Sequence, residues 1–469
     1  MGAGAARGRP RAAPGRARRR GGPTGPAGAV DIAVVLRHRR GVVSVPEPDT
    51  TPIRGDLGAL PPDVPAAVVM NSHITGLAVA RSLGRAGVPV VGLDDEPGGL
   101  GQHSRHLTAL LHCPSPTTDG GRALAEFLER LAGAFPLPPV VFPTNDDWVL
   151  ALAEHRDLLE PAYRFPFARA AVLRATLAKT DLYRAAELEG VAVPRSWYLD
   201  GVPLAELPSS ALLDEVAGAL PYPCVLKPDD SRGFYRDYGA KVLMVDGPEQ
   251  LRRQVAGTAA RGLRMVAQEI VAPPPGGFFS VCSYLDAAGR ARGVFVGRKL
   301  EQYPPGFGTS CLADARFDAK LADAGIRVLA SLGYHGISEV EFVWDQARGQ
   351  HLLLDVNPRP WKWIGLPVAA GVDLPLLAYR DTVGSPFDAP PQRDGMRWVF
   401  LRDYVRLVKE RAGTVPDEQV TKDEWLDLVR GSVPAAGRLV DAVLDPDDPE
   451  PFYDVLSGEL NGSAYACAC

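Results

Sequence analysis

Two acidic residues, an amide and an arginine recur between Gly336 and Trp363, at spacings that suit a metal site built on two strands. Ile337-Ser338-Glu339-Val340-Glu341-Phe342 runs on to Asp345, a polar turn holds Arg348-Gly349, and Leu352 to Asn357 leads into Pro358-Arg359-Pro360-Trp361. With residues 346 to 350 as the loop of a β-hairpin, Asp345 faces His351. Counting outward then sets Glu341 opposite Asp355, near enough for both carboxylates to touch one cation. Side chains alternate along a strand, so Asp355 and Asn357 share a face while Val356 points into apolar packing, and Glu339 shares the face of Glu341. Glu341, Asp355 and Asn357 offer only oxygen, which suits Mg²⁺, with Mn²⁺ as a substitute. The competing reading is a half-buried hairpin carrying a surface salt bridge.

Cations precede this hairpin at wide spacing. Lys179 stands in Leu177-Ala178-Lys179-Thr180-Asp181, and Lys227, 48 residues on, closes the apolar run Tyr222-Pro223-Cys224-Val225-Leu226. A lysine ending a buried strand must set its ammonium against an anion or in water, because an unpaired buried charge is costly. Either lysine could reach phosphate oxygens, although Lys179 also reads as a solvated lysine at a helix start. A polar, glycine-punctuated loop from Pro228 to Gly239 leads to Lys241 and is expected to close over phosphates, with Arg232 or Arg236 adding charge. Met265 to Val271, with Gln268 lying 41 residues past Lys227, reads as a strand entering a Pro/Gly break at Pro273 to Gly277, where backbone groups are open to a purine edge. Arg298 and Lys299 follow the strand Gly293 to Gly297. Alternation lets only one of them aim at the site, and Arg298 is the choice here because a planar guanidinium clamps a carboxylate or phosphoryl group through two bonds. Arg359, stiffened by Pro358, is the second such clamp. Either arginine could instead form a surface ion pair, worth about 0–1 kcal/mol.

The order Lys179, Lys227, Gln268-Glu269-Ile270-Val271, Gly297-Arg298-Lys299 with Tyr303-Pro304-Pro305, Glu341 and Asp355-Val356-Asn357-Pro358-Arg359 resembles the ATP-grasp superfamily. The likeness is greatest to its carboxylate-amine ligases of the D-aspartate ligase and carbamoyl-phosphate-synthase-like type, and it spans residues 65 to 455. It implies an α/β (α+β) ATP-grasp architecture. A disordered basic arm and linker (1–64) would precede a parallel-sheet, Rossmann-like pre-ATP-grasp domain (65–175). A two-lobed ATP-grasp domain with an antiparallel sheet (176–385) and a helical C-terminal appendage and tail (386–469) would follow. The resemblance assigns Lys179, Lys227, Lys241, Gln268, Glu269, Ile270 and Val271 to ATP and Glu341, Asp355 and Asn357 to Mg²⁺. It assigns Arg298 and Arg359 to catalysis and the preceding domain to the acid or amino-acid substrate. A carboxylate would attack the γ-phosphoryl of MgATP and an amine would then displace phosphate. Phe278 and Phe279 depart from the pattern, standing near the place where a ribose-binding acid is often found. A carboxylase or carbamoyl-phosphate-type enzyme, and a non-catalytic nucleotide-binding protein, are the alternatives.

The elements that must hold these residues read as β-loop-α-β at the start of the body: Ala66 to Met70, a polar turn, a periodic helix to Arg85, then Val88 to Leu93. Such a unit favours a parallel sheet with ligands beyond the carboxyl ends of its strands. Asn71, Ser72, His73 and Thr75 lie there, as do Thr144, Asn145 and Asp146 after the run Pro139 to Pro143, making Asn71, Ser72, Thr75, Asn145 and Asp146 the substrate candidates. Turn and N-cap chemistry selects the same residue types. Helices are expected over 168–177, 180–189, 404–410, 425–429 and 436–444, with a strand over 397–403.

Composition sets outer bounds. In 469 residues, 46% are apolar and 23% charged, enough for two or three cores, and the net charge of −5 carries no nucleic-acid signature. No apolar run approaches the roughly 18 residues of a membrane-spanning helix, and the N-terminus lacks a signal core, so a cytoplasmic protein without membrane insertion is expected. Its partners would be small acids and amines, and a homodimer is compatible with the resemblance. Residues 1–28, with seven arginines and no acid, read as a disordered arm. The six cysteines form neither a disulfide framework nor a paired zinc motif. Cys467 and Cys469 are left as a terminal pair that could hold a metal or a redox link, or have no role.

Overall fold

The computed structural model describes residues 50–229, 234, 238–305, 308–411, 420–430 and 439–461. The basic arm, most of the loop after Lys227 with Arg232 and Arg236, and Cys467 and Cys469 lie outside them.

The first sheet is built from β1 (Arg54–Gly55), β2 (Ala67–Met70), β3 (Val90–Asp94), β4 (Leu107–His112) and β5 (Val140–Pro143), in the order β1-β4-β3-β2-β5. All its pairings are parallel except β1 against β4. Every residue of β2 is buried, as expected of a parallel strand covered on both faces. Val68 and Met70 face one apolar cluster with Phe127 and Leu128, while Ala67 and Val69 face another with Leu77 and Leu83 from the helix Ile74–Arg85. The loop after β2 is tight: Asn71 has a positive φ of 66°, and a Cβ on Gly76 would lie 2.5 Å from the Asn71 carbonyl oxygen.

The second sheet is antiparallel throughout, with β6 (Ser196–Tyr198), β7 (Cys224–Pro228), β8 (Leu243–Val245) and β9 (Met265–Glu269) in the order β6-β9-β7-β8. It has its own core around Leu213, Leu226, Val245, Leu251 and Ala267. The third sheet holds β10 (Phe278–Leu285), β11 (Ala291–Tyr303), β12 (Thr309–Ala315), β13 (Gly336–Asp345), β14 (Gln350–Asn357), β15 (Arg397–Val399) and β16 (Leu439–Asp441), ordered β14-β13-β10-β11-β12-β15-β16. One face, with Val281, Val296, Val340 and Val356, shares a cluster with Leu321, Val328 and Leu329 of the helix Ala319–Ser331. The other face carries Cys282, Phe295, Ala313 and Trp363.

Two local expectations are corrected. Residues 439–441 form β16, paired parallel to β15, where a helix over 436–444 was expected; the open edge of β15 supplies backbone partners that outweigh a weak helical pattern. In the hairpin, Asp345 faces Gln350 rather than His351, and the register shifts by one residue between Phe342↔Leu353 and Glu341↔Asp355. Leu354 is the extra residue of this bulge, and its insertion restores the pairing of Glu341 with Asp355.

Candidate active site

Asn357 pairs with Glu339 and Asp355 with Glu341 across β13 and β14, on the sheet face that also carries Cys282 and Phe295. Val356, between the two ligand candidates, is fully buried on the opposite face. Glu339 is almost completely buried; it accepts from Ser280 Oγ at 2.9 Å and from Asn357 Nδ2 at 2.8 Å. Burial, and after it the nearby Glu341, push the pKa of Glu339 up to about 7.

Lysines from three elements converge on these acids. Lys179, the first residue of the helix Lys179–Leu188, donates to Asp355 Oδ1 at 2.5 Å. Burial works against the Lys179 ammonium, but Asp355 beside it holds its pKa above the usual value. Burial likewise disfavours the Asp355 carboxylate, yet Lys179 and then Lys227 outweigh it and hold that pKa low. Lys227 Nζ lies 3.4 Å from Tyr183 Oη, which donates to the Leu354 carbonyl at 2.9 Å, so the lysine of the smaller sheet meets the bulge of the larger. Lys241 is exposed by surface area, but protein crowds it enough to lower its pKa, with Lys299 and Arg359 adding to the effect and Glu341 and Asp355 opposing it.

The choice between Arg298 and Lys299 is also corrected. Arg298 pairs with Phe279 and Asp314 across its neighbouring strands, and its guanidinium makes a two-bond ion pair with Asp314 at 2.7 and 3.2 Å. Lys299 lies on the other face and forms an ion pair with Glu341. Burial opposes the Lys299 ammonium, but Glu341 and Glu339 together hold its pKa above the usual range. Strand parity therefore sets Lys299, and not Arg298, on the face of Glu341 and Asp355.

Arg359 binds a residue from the first sheet's side of the molecule. Its Nε donates to Asp146 Oδ1 at 2.9 Å, its Nη2 to Asn357 Oδ1 at 3.2 Å and its Nη1 to the Pro360 carbonyl at 3.1 Å. Asp146 opens the helix Asp146–Glu154, which Asn145 caps by accepting from Trp148 N at 3.1 Å. The Asn145 oxygen thus has a structural task. Asn71, Ser72 and Thr75 are buried; Ser72 N donates to Asp94 Oδ1 at 2.6 Å, and the hydroxyl of Thr75 has no hydrogen-bond partner among the described residues.

Gln268 and Glu269 end β9. Gln268 Nε2 donates to Ser196 Oγ at 2.9 Å. The Glu269 carboxylate is taken by Arg195, through its backbone N at 2.8 Å and Nε at 2.9 Å, and by Arg348 of the hairpin turn at 2.8 Å. The Glu269 side chain is thus held by these two arginines. Tyr183, Ser280, Arg195 and Arg348 were not singled out from the sequence; only their long-range partners give them meaning.

Two carboxylates and one amide oxygen fit Mg²⁺, which keeps several waters and binds through one or two carboxylates plus substrate phosphates. Among the described residues no three or more His, Cys, Asp or Glu side chains form a metal cluster. Cys113, Cys224, Cys282 and Cys311 are free and buried.

No protein-family model and no curated protein matches the sequence. Solved structures do match. Biotin carboxylase from Campylobacter jejuni in a β,γ-ATP complex is 16% identical with a TM-score of 0.52, covering 71% of this chain and 74% of that one. N5-carboxyaminoimidazole synthetase from Staphylococcus aureus complexed with ADP is 14% identical with a TM-score of 0.52, covering 70% and 79%. L-amino acid ligase from Bacillus licheniformis is 15% identical with a TM-score of 0.51, covering 71% and 78%. At such identities a likeness speaks for architecture, and with the second and third sheets meeting at the lysine–carboxylate cluster it leads to one statement: this chain has the ATP-grasp fold.

Proposed function

We propose that the protein is an ATP-dependent carboxylate-amine ligase that forms an amide or peptide bond through an acyl phosphate, with an amino acid among its substrates. The observation that carries this reading is the convergence of Lys179, Lys227, Lys299 and Arg359 on Glu341, Asp355 and Asn357 where the second and third sheets meet. A carboxylate oxygen attacks the γ-phosphorus of ATP, the bond from that phosphorus to the β,γ-bridging oxygen breaks, and ADP leaves. An amine nitrogen then attacks the acyl carbon, phosphate departs and the nitrogen loses a proton to solvent. Negative charge builds on oxygen in both steps, so fixed cations lower both barriers and in-line alignment supplies much of the rest. Lys179 and Lys227, both beside Asp355, hold phosphate oxygens, and Arg359 holds the acyl phosphate. Mg²⁺ held by Glu341, Asp355 and Asn357 would neutralise phosphate charge. No side-chain nucleophile is needed. The domain boundaries at 65, 176 and 386 belong to this reading.

The test is Mg²⁺-dependent ADP release across a matrix of amino acids and other carboxylic acids with amine acceptors, with bicarbonate included. Release that requires both an acid and an amine supports the ligase. Release with bicarbonate alone would favour a carboxylase or carbamoyl-phosphate-type reaction, and nucleotide binding without turnover would favour a non-catalytic role.

A further inference from the structure

The candidate ligand Asn357 is held by a neighbour that no part of the proposed chemistry requires. Its Nδ2 donates to Glu339 Oε2 at 2.8 Å, and its Oδ1 accepts from Arg359 Nη2 at 3.2 Å. The other oxygen of Glu339 is occupied by Ser280 Oγ at 2.9 Å. Ser280, Glu339, Asn357, Arg359 and Asp146 thus form one hydrogen-bonded line from the interior of the third sheet to the helix beside the first. An amide has one accepting end and one donating end. Only the accepting end can bind a hard cation, and a half-turn about the terminal side-chain bond would present NH₂ instead. Arg359 alone does not prevent that turn, because a guanidinium that loses one acceptor still has Asp146. A buried carboxyl group that keeps its unprotonated oxygen toward the NH₂ does prevent it, since the turned amide would set oxygen against oxygen in a place that excludes water. Glu339 is itself fixed: it is 2% exposed, and Ser280 holds its far oxygen.

We propose that Glu339 is a positioning residue that locks the Asn357 amide with its oxygen toward the cation and Arg359, so that metal affinity depends on the acceptor at position 339 acting through Asn357. This inference rests on the proposed function, because it takes Asn357 as a metal ligand. Partners of this kind behind a ligand typically contribute roughly 10- to 100-fold to metal affinity. The effect requires an acceptor facing Nδ2, and a glutamine can supply one by turning its own NH₂ toward the Ser280 hydroxyl oxygen.

The experiment titrates Mn²⁺ into the full chain saturated with ADP and follows free Mn²⁺ by electron paramagnetic resonance, which needs no turnover. Glu339→Gln should stay near wild type, Glu339→Leu should bind Mn²⁺ roughly 10- to 100-fold more weakly, and Asn357→Ala should weaken it by a similar factor. Glu339→Leu added to Asn357→Ala should cost nothing further, because the first acts through the second. An equal loss in both backgrounds, or wild-type affinity in a folded Glu339→Leu protein, overturns the inference and leaves the ligase reading standing. If Glu339→Leu does not fold, a loss of affinity in Glu339→Gln as large as in Asn357→Ala overturns it, since that would show charge rather than an acceptor at work. Wild type that binds no Mn²⁺ in the presence of ADP overturns the metal assignment together with this inference.

Discussion

Glu269→Gln should destabilise the protein while leaving nucleotide affinity little changed, because the structure gives that carboxylate to two arginines rather than to the cleft. Glu269 is 8% exposed, Arg348 32% and Arg195 64%. The substitution keeps volume but turns one oxygen into an NH₂ facing two guanidinium groups. Hydrogen bonds to charged groups contribute about 1.5–3 kcal/mol each, and the more exposed Arg195 contact must be discounted toward the 0–1 kcal/mol of surface pairs, which gives a loss of about 1.5–4 kcal/mol. Burial raises the Glu269 pKa, but the hydrogen bonds from Arg348 and Arg195 outweigh it and hold the folded value below the ordinary 4.5. A depressed folded pKa means stabilisation that is fully present above the unfolded value and lost as pH falls through the folded one. Urea midpoints of wild type and variant should therefore differ at about pH 7 and draw together as pH falls below the ordinary 4.5 and through the folded value. ADP affinity at neutral pH should stay close to wild type. A variant as stable as wild type at neutral pH, a gap that persists in acid, or a collapse of ADP affinity in a stable variant would each refute the reasoning.

The remaining predictions concern the site and the loop after β2. Asp355→Asn and Glu341→Gln should each abolish Mg²⁺-dependent ADP formation with the fold intact by circular dichroism; normal turnover in either removes the metal assignment. Lys299→Met should reduce turnover by about 10²–10³, the usual cost of losing one charge-stabilising donor, whereas Arg298→Met should act mainly on thermal stability. The reverse pattern would restore Arg298 to the site. Gly76→Ala should lower the melting temperature, because its Cβ would meet the Asn71 carbonyl oxygen at 2.5 Å; unchanged melting would show that the loop relaxes freely.

Much of this arrangement was legible in the sequence because local pattern and spacing carried it. The β-loop-α-β opening and the Lys179 helix follow from apolar periodicity, and the hairpin follows from alternation around Arg348-Gly349. Glu341 opposite Asp355 came out correctly although the turn was miscounted, since the bulge at Leu354 compensates for the shorter loop. Arg298 was preferred to Lys299 for its two-bond guanidinium, because Val294-Phe295-Val296 is apolar on both faces and hides parity; only the pairing of Arg298 with Phe279 sets its face. β16 was hidden for a similar reason, since its three residues become a strand only where β15 offers an edge. The contacts Lys179–Asp355 and Arg359–Asp146 cross 176 and 213 residues, so no local pattern could encode them.

The central claim is that a carboxylate is activated as an acyl phosphate, and isotope transfer tests it most directly. With the acid identified by ADP release and labelled with ¹⁸O in its carboxylate, turnover with ATP, Mg²⁺ and the amine should move one labelled oxygen into the released phosphate. Replacing the amine with hydroxylamine should trap a hydroxamate, and Arg359→Ala should diminish it. Amide formation with no label in phosphate and no hydroxamate, and with AMP in place of ADP, would contradict the account and replace the acyl phosphate with an adenylate.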